Sequence, residues 1–131
     1  MLELLLRLRR RELPWEVVDY KVVEPVPMFY DDEDIDIVLV SECETRGTYV
    51  FDINELGKWH AARSLEFSRQ QLLRELSNKG YNSLISEGWS MTVLRKGKRH
   101  RMVVQYDGRG AIISGKFDPR PPPFLDMLNS S

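Results

Sequence analysis

The densest chemistry in this sequence lies in one short stretch. Arg95, Lys96, Lys98, Arg99, His100 and Arg101 crowd around Gly97. Guanidinium and ammonium groups at that density donate to phosphate oxygens or to carboxylates. The flanking residues read as two strands, so the turn at Lys96-Gly97-Lys98 would carry the cations on a protruding hairpin. The functional expectation is a contact with nucleic acid or with an acidic protein. The structural alternative is a solvated turn whose charges guard a sheet edge. No stacking platform is visible nearby: Trp89 and Tyr106 sit at the far ends of these strands and read as core.

Other clusters carry less. Asp31-Asp32-Glu33-Asp34-Ile35-Asp36 places acids at Asp32, Asp34 and Asp36, as an EF-hand loop begins. Ile37 stands where that loop needs its glycine, so the run reads as a solvated loop and not a calcium site. Cys43, His60 and His100 are the only thiol and imidazoles. They are too few and too scattered for zinc, and a cysteine on a strand reads as a small buried residue. Gly108-Arg109-Gly110 reads as a turn with no helix after it, so it forms no phosphate-binding loop.

The order of elements through the first half adds a second pattern. Asp36 enters one expected strand, and Asp52-Ile53-Asn54 ends the next. This arrangement resembles the core of the PD-(D/E)XK nuclease superfamily. The resemblance implies that Asp36 and Asp52 would hold Mg²⁺ and position a water. Asn54 replaces the family's lysine, and Lys58, one helical turn on, would be its substitute. Read from the residues alone, Asp52 is instead a helix cap: with Glu55 three positions on, it forms a capping-box pattern.

The C-terminal stretch holds Pro121-Pro122-Pro123 and then Phe124, Leu125, Met127 and Leu128. A proline-rich segment with an apolar cluster can dock in a partner groove. It can equally pack on its own domain.

The elements that would position these groups follow from periodicity. Residues 1–13 are Leu- and Arg-rich and read as a short helix stopped by Pro14. Trp15 to Val23 reads as a strand. Ile37-Val38-Leu39-Val40 reads as a buried strand, followed by a hairpin turn at Thr45-Arg46-Gly47 and a strand from Thr48. A long helix is expected over residues 52–79, with Ala62, Leu65, Leu72 and Leu76 on one face. Gly80 ends it and Tyr81 packs back. Residues 83–117 read as a meander, with turns at Glu87-Gly88, at Gly97 and at Asp107 to Gly110. The expected fold is therefore α+β, in the order α-β-β-β-α-β-β-β. One long helix would lie on a mostly antiparallel sheet. A tail follows from residue 118.

The totals set the frame. Residues number 131, of which 42% are hydrophobic and 30% charged, a composition that buries a core rather than staying disordered. Net charge is −1, so any polyanion contact must come from local clustering. One cysteine permits no internal disulfide and suggests a reducing, intracellular compartment. Organelle import is the lesser expectation, because Glu3 and Glu12 interrupt the Arg-rich start. Together these features favour a non-enzymatic binding or adaptor module using the basic hairpin. The alternatives are a divergent metal-dependent nuclease domain, or an assembly subunit docking through its tail.

Overall fold

The computed structural model describes residues 14–30, 33–53, 58–118 and 120–128. The expected helix over residues 1–13 lies outside them. Among the described residues, five strands and one long helix form an antiparallel α+β domain. They are β1 (Glu16–Pro27), β2 (Asp36–Val40), β3 (Thr45–Ile53), α1 (Lys58–Asn78), β4 (Ser83–Lys96) and β5 (Arg99–Ser114), followed by a 3₁₀ turn, Leu125–Leu128. Among the described residues no helix is long and apolar enough to cross a membrane.

β4 and β5 form one long hairpin at the centre of the sheet, turning at Gly97 (φ 63°) and Lys98. β1 flanks β4. Along the other side of β5, β2 and β3 lie end to end: β2 pairs with Ala111–Ser114, and β3 pairs with His100–Gly108. The expected hairpin between them does not form. Both pair with β5 instead, and Ser41 to Glu44 is the bend between two segments of one edge.

Two further turns were expected at Glu87-Gly88 and at Asp107 to Gly110, yet both stretches run on as strand. The glycines there serve close packing rather than turning. A Cβ on Gly88 would stand 2.6 Å from the Pro25 backbone nitrogen, and one on Gly108 would stand 2.4 Å from Leu84 Cδ2.

Strand alternation sorts the side chains onto two faces. Trp89, Met91 and Val93 on β4 stand beside Tyr106, Val104 and Met102 on β5, which stand beside Gly47, Tyr49 and Phe51 on β3. Leu65, Leu72 and Leu76 of α1 close over this face and complete the core. α1 ends as the sequence predicts. The Gly80 amide donates to Ser77 O and the Tyr81 amide to Leu76 O, with Gly80 at φ 97°; this pairing caps the last carbonyls.

The helix start differs from expectation. Asp52 and Ile53 belong to β3, in register with Arg101 and His100, and α1 begins at Lys58. Asp52 is therefore a strand residue and not a helix cap. Asn54 and Glu55 lie outside the described residues.

Candidate functional site

The basic hairpin exists, and the register divides its six expected contact residues. Arg95 stands opposite His100, and both point to the helix side of the sheet. Arg95 Nη2 donates to Glu16 Oε2 at 3.0 Å. His100 is half-buried beside Ile53, its Nδ1 enclosed without a hydrogen-bond partner. Lys96 stands opposite Arg99, and Arg101 opposite Leu94, all on the other face. Lys98 is exposed in the turn.

Lys96, Arg99 and Arg101 converge on a residue that lay outside the expected site. The ring of Trp15, just before β1, has Lys96 Nζ at 5.9 Å, the Arg99 guanidinium carbon at 5.5 Å and the Arg101 guanidinium carbon at 4.6 Å. The π-face of an indole attracts cations, so one ring holds three positive side chains together despite their mutual repulsion. Arg101 Nε also donates to Asp52 Oδ1 at 3.1 Å. That pair is exposed and contributes little to stability.

This cluster occupies one end of the sheet face opposite α1. The face continues away from it through Val17 and Leu94, then Tyr20, Thr92, Val103 and Val50, then Val22, Ser90, Gln105 and Thr48. No described element covers it. Tyr20 and Val50 are each 57% exposed, and Val17 is 63% exposed. Sequence reasoning missed Trp15 and Tyr20 because the contact was sought within the hairpin. The available signal was strand parity on β1, blurred by the bulge between Val17 and Asp19.

The other expected sites come apart. Asp36 is in register with Ser114, and Asp52 with Arg101, thirteen residues away along the same strand. At about 3.3 Å per residue that is on the order of 40 Å of strand, whereas ligands of one Mg²⁺ all lie about 2 Å from it. The two acids therefore share no ion. The side chain of Lys58 lies outside the described residues. Among the described residues no group of three or more His, Cys, Asp or Glu is placed to hold a metal. Cys43 is exposed in the bend after β2, not buried in a strand. The side chain of His60 lies outside the described residues.

The tail packs on its own domain. Leu128 is buried in the core beside α1, Pro122 and Pro123 are buried, and Trp89 Nε1 donates to Pro123 O at 3.0 Å. Leu128 is thus removed from the partner-binding set, and Leu125 packs on the same core. Phe124 remains exposed, and the side chain of Met127 lies outside the described residues.

One buried polar group was not expected. Glu87 is 0% exposed under α1. Its Oε1 accepts from Arg69 Nε at 2.5 Å and from Tyr106 Oη at 2.6 Å, and its Oε2 accepts from Arg69 Nη2 at 3.0 Å. Burial works against the Arg69 charge, but the bonds and attraction of Glu87 outweigh it and raise the guanidinium pKa. Burial, then the adjacent Glu87 charge, pushes the Tyr106 hydroxyl far above the ordinary tyrosine value. A cavity of about 220 Å³ adjoins this group, lined by Met28, Phe29, Leu84, Phe117 and Arg120 among others. Its charges are already matched, Arg69 to Glu87 and Arg120 to Glu33. The geometry makes this a structural tie between helix and sheet.

Comparison with family models, with curated proteins and with solved structures finds no match for this chain.

Proposed function

We propose that this domain is a non-catalytic module that binds single-stranded nucleic acid on the open face of its sheet. The observation that carries the reading is the convergence of Lys96, Arg99 and Arg101 on Trp15 at the end of an uncovered face. Single strands are held by cations that neutralise phosphate and by aromatic rings on which bases stack. Sheet faces bearing exposed rings are one recurrent way to present both. Here Tyr20, exposed on β1, is one such ring, and Trp15, half-buried among the cations, is a second aromatic on the same face. Lys98 extends the positive charge at the tip.

Affinity in this reading comes from phosphate neutralisation and stacking, with little sequence selectivity. Three to five phosphate contacts on a single strand give a log–log salt slope of roughly −2 to −3.5. Binding is expected at micromolar dissociation constants or weaker at physiological salt. The test is fluorescence anisotropy with labelled oligo-dT and oligo-U at low and moderate salt. The triple variant Lys98→Gln, Arg99→Gln, Arg101→Gln should lose the binding while keeping the wild-type denaturation midpoint within error. Absence of binding at low salt, or equal binding by the variant, would refute the nucleic-acid reading and leave an acidic protein as the hairpin's partner.

A further inference from the structure

We infer that β2 is a second docking site, at the far end of the sheet from Trp15, where a partner protein adds an extended apolar strand flanked by Lys or Arg. Three observations meet there. First, Ile37, Val38, Leu39 and Val40 are all between 39% and 62% exposed. Alternation normally hides every second residue of a strand packed on a core, so a strand of consecutive aliphatics exposed on both faces is a surface awaiting cover. Second, β2 pairs only with β5 among the described strands. Its outer edge therefore offers backbone donors and acceptors, which an added strand satisfies directly. Third, both ends of β2 carry exposed carboxylates: Asp34 and Asp36 before the aliphatics, Glu42 and Glu44 after them. Arg109 Nη1 donates to the carbonyls of Ser41 and Glu42 at 2.8 and 2.9 Å and pins the bend that carries the second pair.

The charges choose the occupant. A second copy of this chain, paired antiparallel about Val38, would set Asp34 against Glu42, and like charges directly opposed destabilise a strand pair. A strand with cations at both ends instead meets a carboxylate at each. Aliphatics in its middle cover the exposed side chains of β2. The partner is thus a protein segment of apolar centre and basic flanks, bound by backbone pairing and oriented by charge. The neighbouring strand β3 lacks this character. It alternates half-buried and exposed positions, and its exposed side carries Arg46 and Asp52.

The test uses the full chain and a blocked nine-residue peptide, Lys-Arg-Val-Thr-Ile-Thr-Val-Arg-Lys. Two controls accompany it: the same peptide with Glu replacing every Lys and Arg, and the basic peptide N-methylated at alternate residues along one edge. Amide shifts in ¹⁵N spectra are followed through titration. The basic peptide should bind saturably, with shifts centred on residues 36–44 and slowed hydrogen exchange at Val40, whose amide faces the outer edge because its neighbour Ser41 donates to Gly110 O of β5. The acidic and N-methylated peptides should each bind at least about tenfold more weakly. The variant Asp34→Lys, Asp36→Lys, Glu42→Lys, Glu44→Lys changes exposed side chains only and should reverse the preference between basic and acidic peptides. Equal binding of the N-methylated peptide would mean charge attraction without strand addition. Shifts centred on the 95–101 hairpin, or a dimer in sedimentation that Leu39→Lys dissolves, would assign the site elsewhere or to a second copy. Any of these results would overturn the inference. None depends on whether oligonucleotides bind at the opposite end.

Discussion

Glu87 is the residue on which this core is most exposed to failure. Its carboxylate is fully buried and satisfied by Arg69 and Tyr106. Removing one partner of a buried pair leaves the other uncompensated, at a cost of about 3–5 kcal/mol. Glu87→Gln should therefore lower unfolding free energy in urea by several kcal/mol. The triple variant Arg69→Met, Glu87→Leu, Tyr106→Phe should recover most of it, because apolar groups need no partner and no buried hydroxyl is left unpaired. The hydroxyl of Tyr106 adds a pH signature. A tyrosine in the unfolded chain ionises near pH 10, while the folded state holds this proton to much higher pH. Below pH 10 both states keep the proton and the contribution is complete. Above it the unfolded state binds fewer protons, so stability falls as pH rises. Denaturation midpoints should decline on the alkaline side of pH 10, and less steeply in Tyr106→Phe. None of this was legible beforehand. Glu87-Gly88 has the composition of a turn, and only the packing of Gly88 on Pro25 and of Arg69 over the strand tells otherwise.

At the scale of elements, the signals that survived were local ones with no competitor. Gly80 ends α1 because its positive φ serves the cap and nothing else claims those residues. The Gly97 turn formed for the same reason. The capping pattern at Asp52 failed because β3 pairs along its whole length with β5, and tertiary pairing overrides a single cap. The aliphatic run of β2 was correctly a strand but wrongly buried, since four apolar residues carry no mark of their surroundings. The length of β4 and β5 was hidden by glycines that look like turns. Those glycines are testable. An added methyl on Gly88 meets backbone of Pro25 and Val23, which cannot yield without shifting β1. At Gly108 the nearest atom belongs to the flexible Leu84 side chain. Gly88→Ala should therefore destabilise by about 1–3 kcal/mol, the cost typical of overpacking, and Gly108→Ala by less. Urea midpoints of the two variants, measured side by side, decide the order.

Across the whole molecule, a net charge of −1 conceals two poles. The hairpin end gathers Lys96, Arg99 and Arg101 around Trp15 and carries Lys98 at its tip; the β2 end carries Asp34, Asp36, Glu42 and Glu44. The charge clusters were legible in sequence, but their separation along β5 was not, and that separation also parts Asp36 from Asp52. Nor could the sequence give Trp15 its place, which depends on β1 pairing with β4 across more than seventy residues of chain. In the proposed function, Trp15 is a stacking ring for single-stranded nucleic acid. The most direct measurement is anisotropy of labelled oligo-dT with wild type, Trp15→Phe and Trp15→Ala at low salt, beside a duplex of equal length. Base–aromatic stacking contributes roughly 1–3 kcal/mol per base. Trp15→Ala should thus weaken single-strand binding by about five- to a hundredfold, Trp15→Phe should retain most of it, and duplex binding should be weaker and change little. Equal affinities for Trp15→Ala and wild type, or a preference for duplex, would contradict the account.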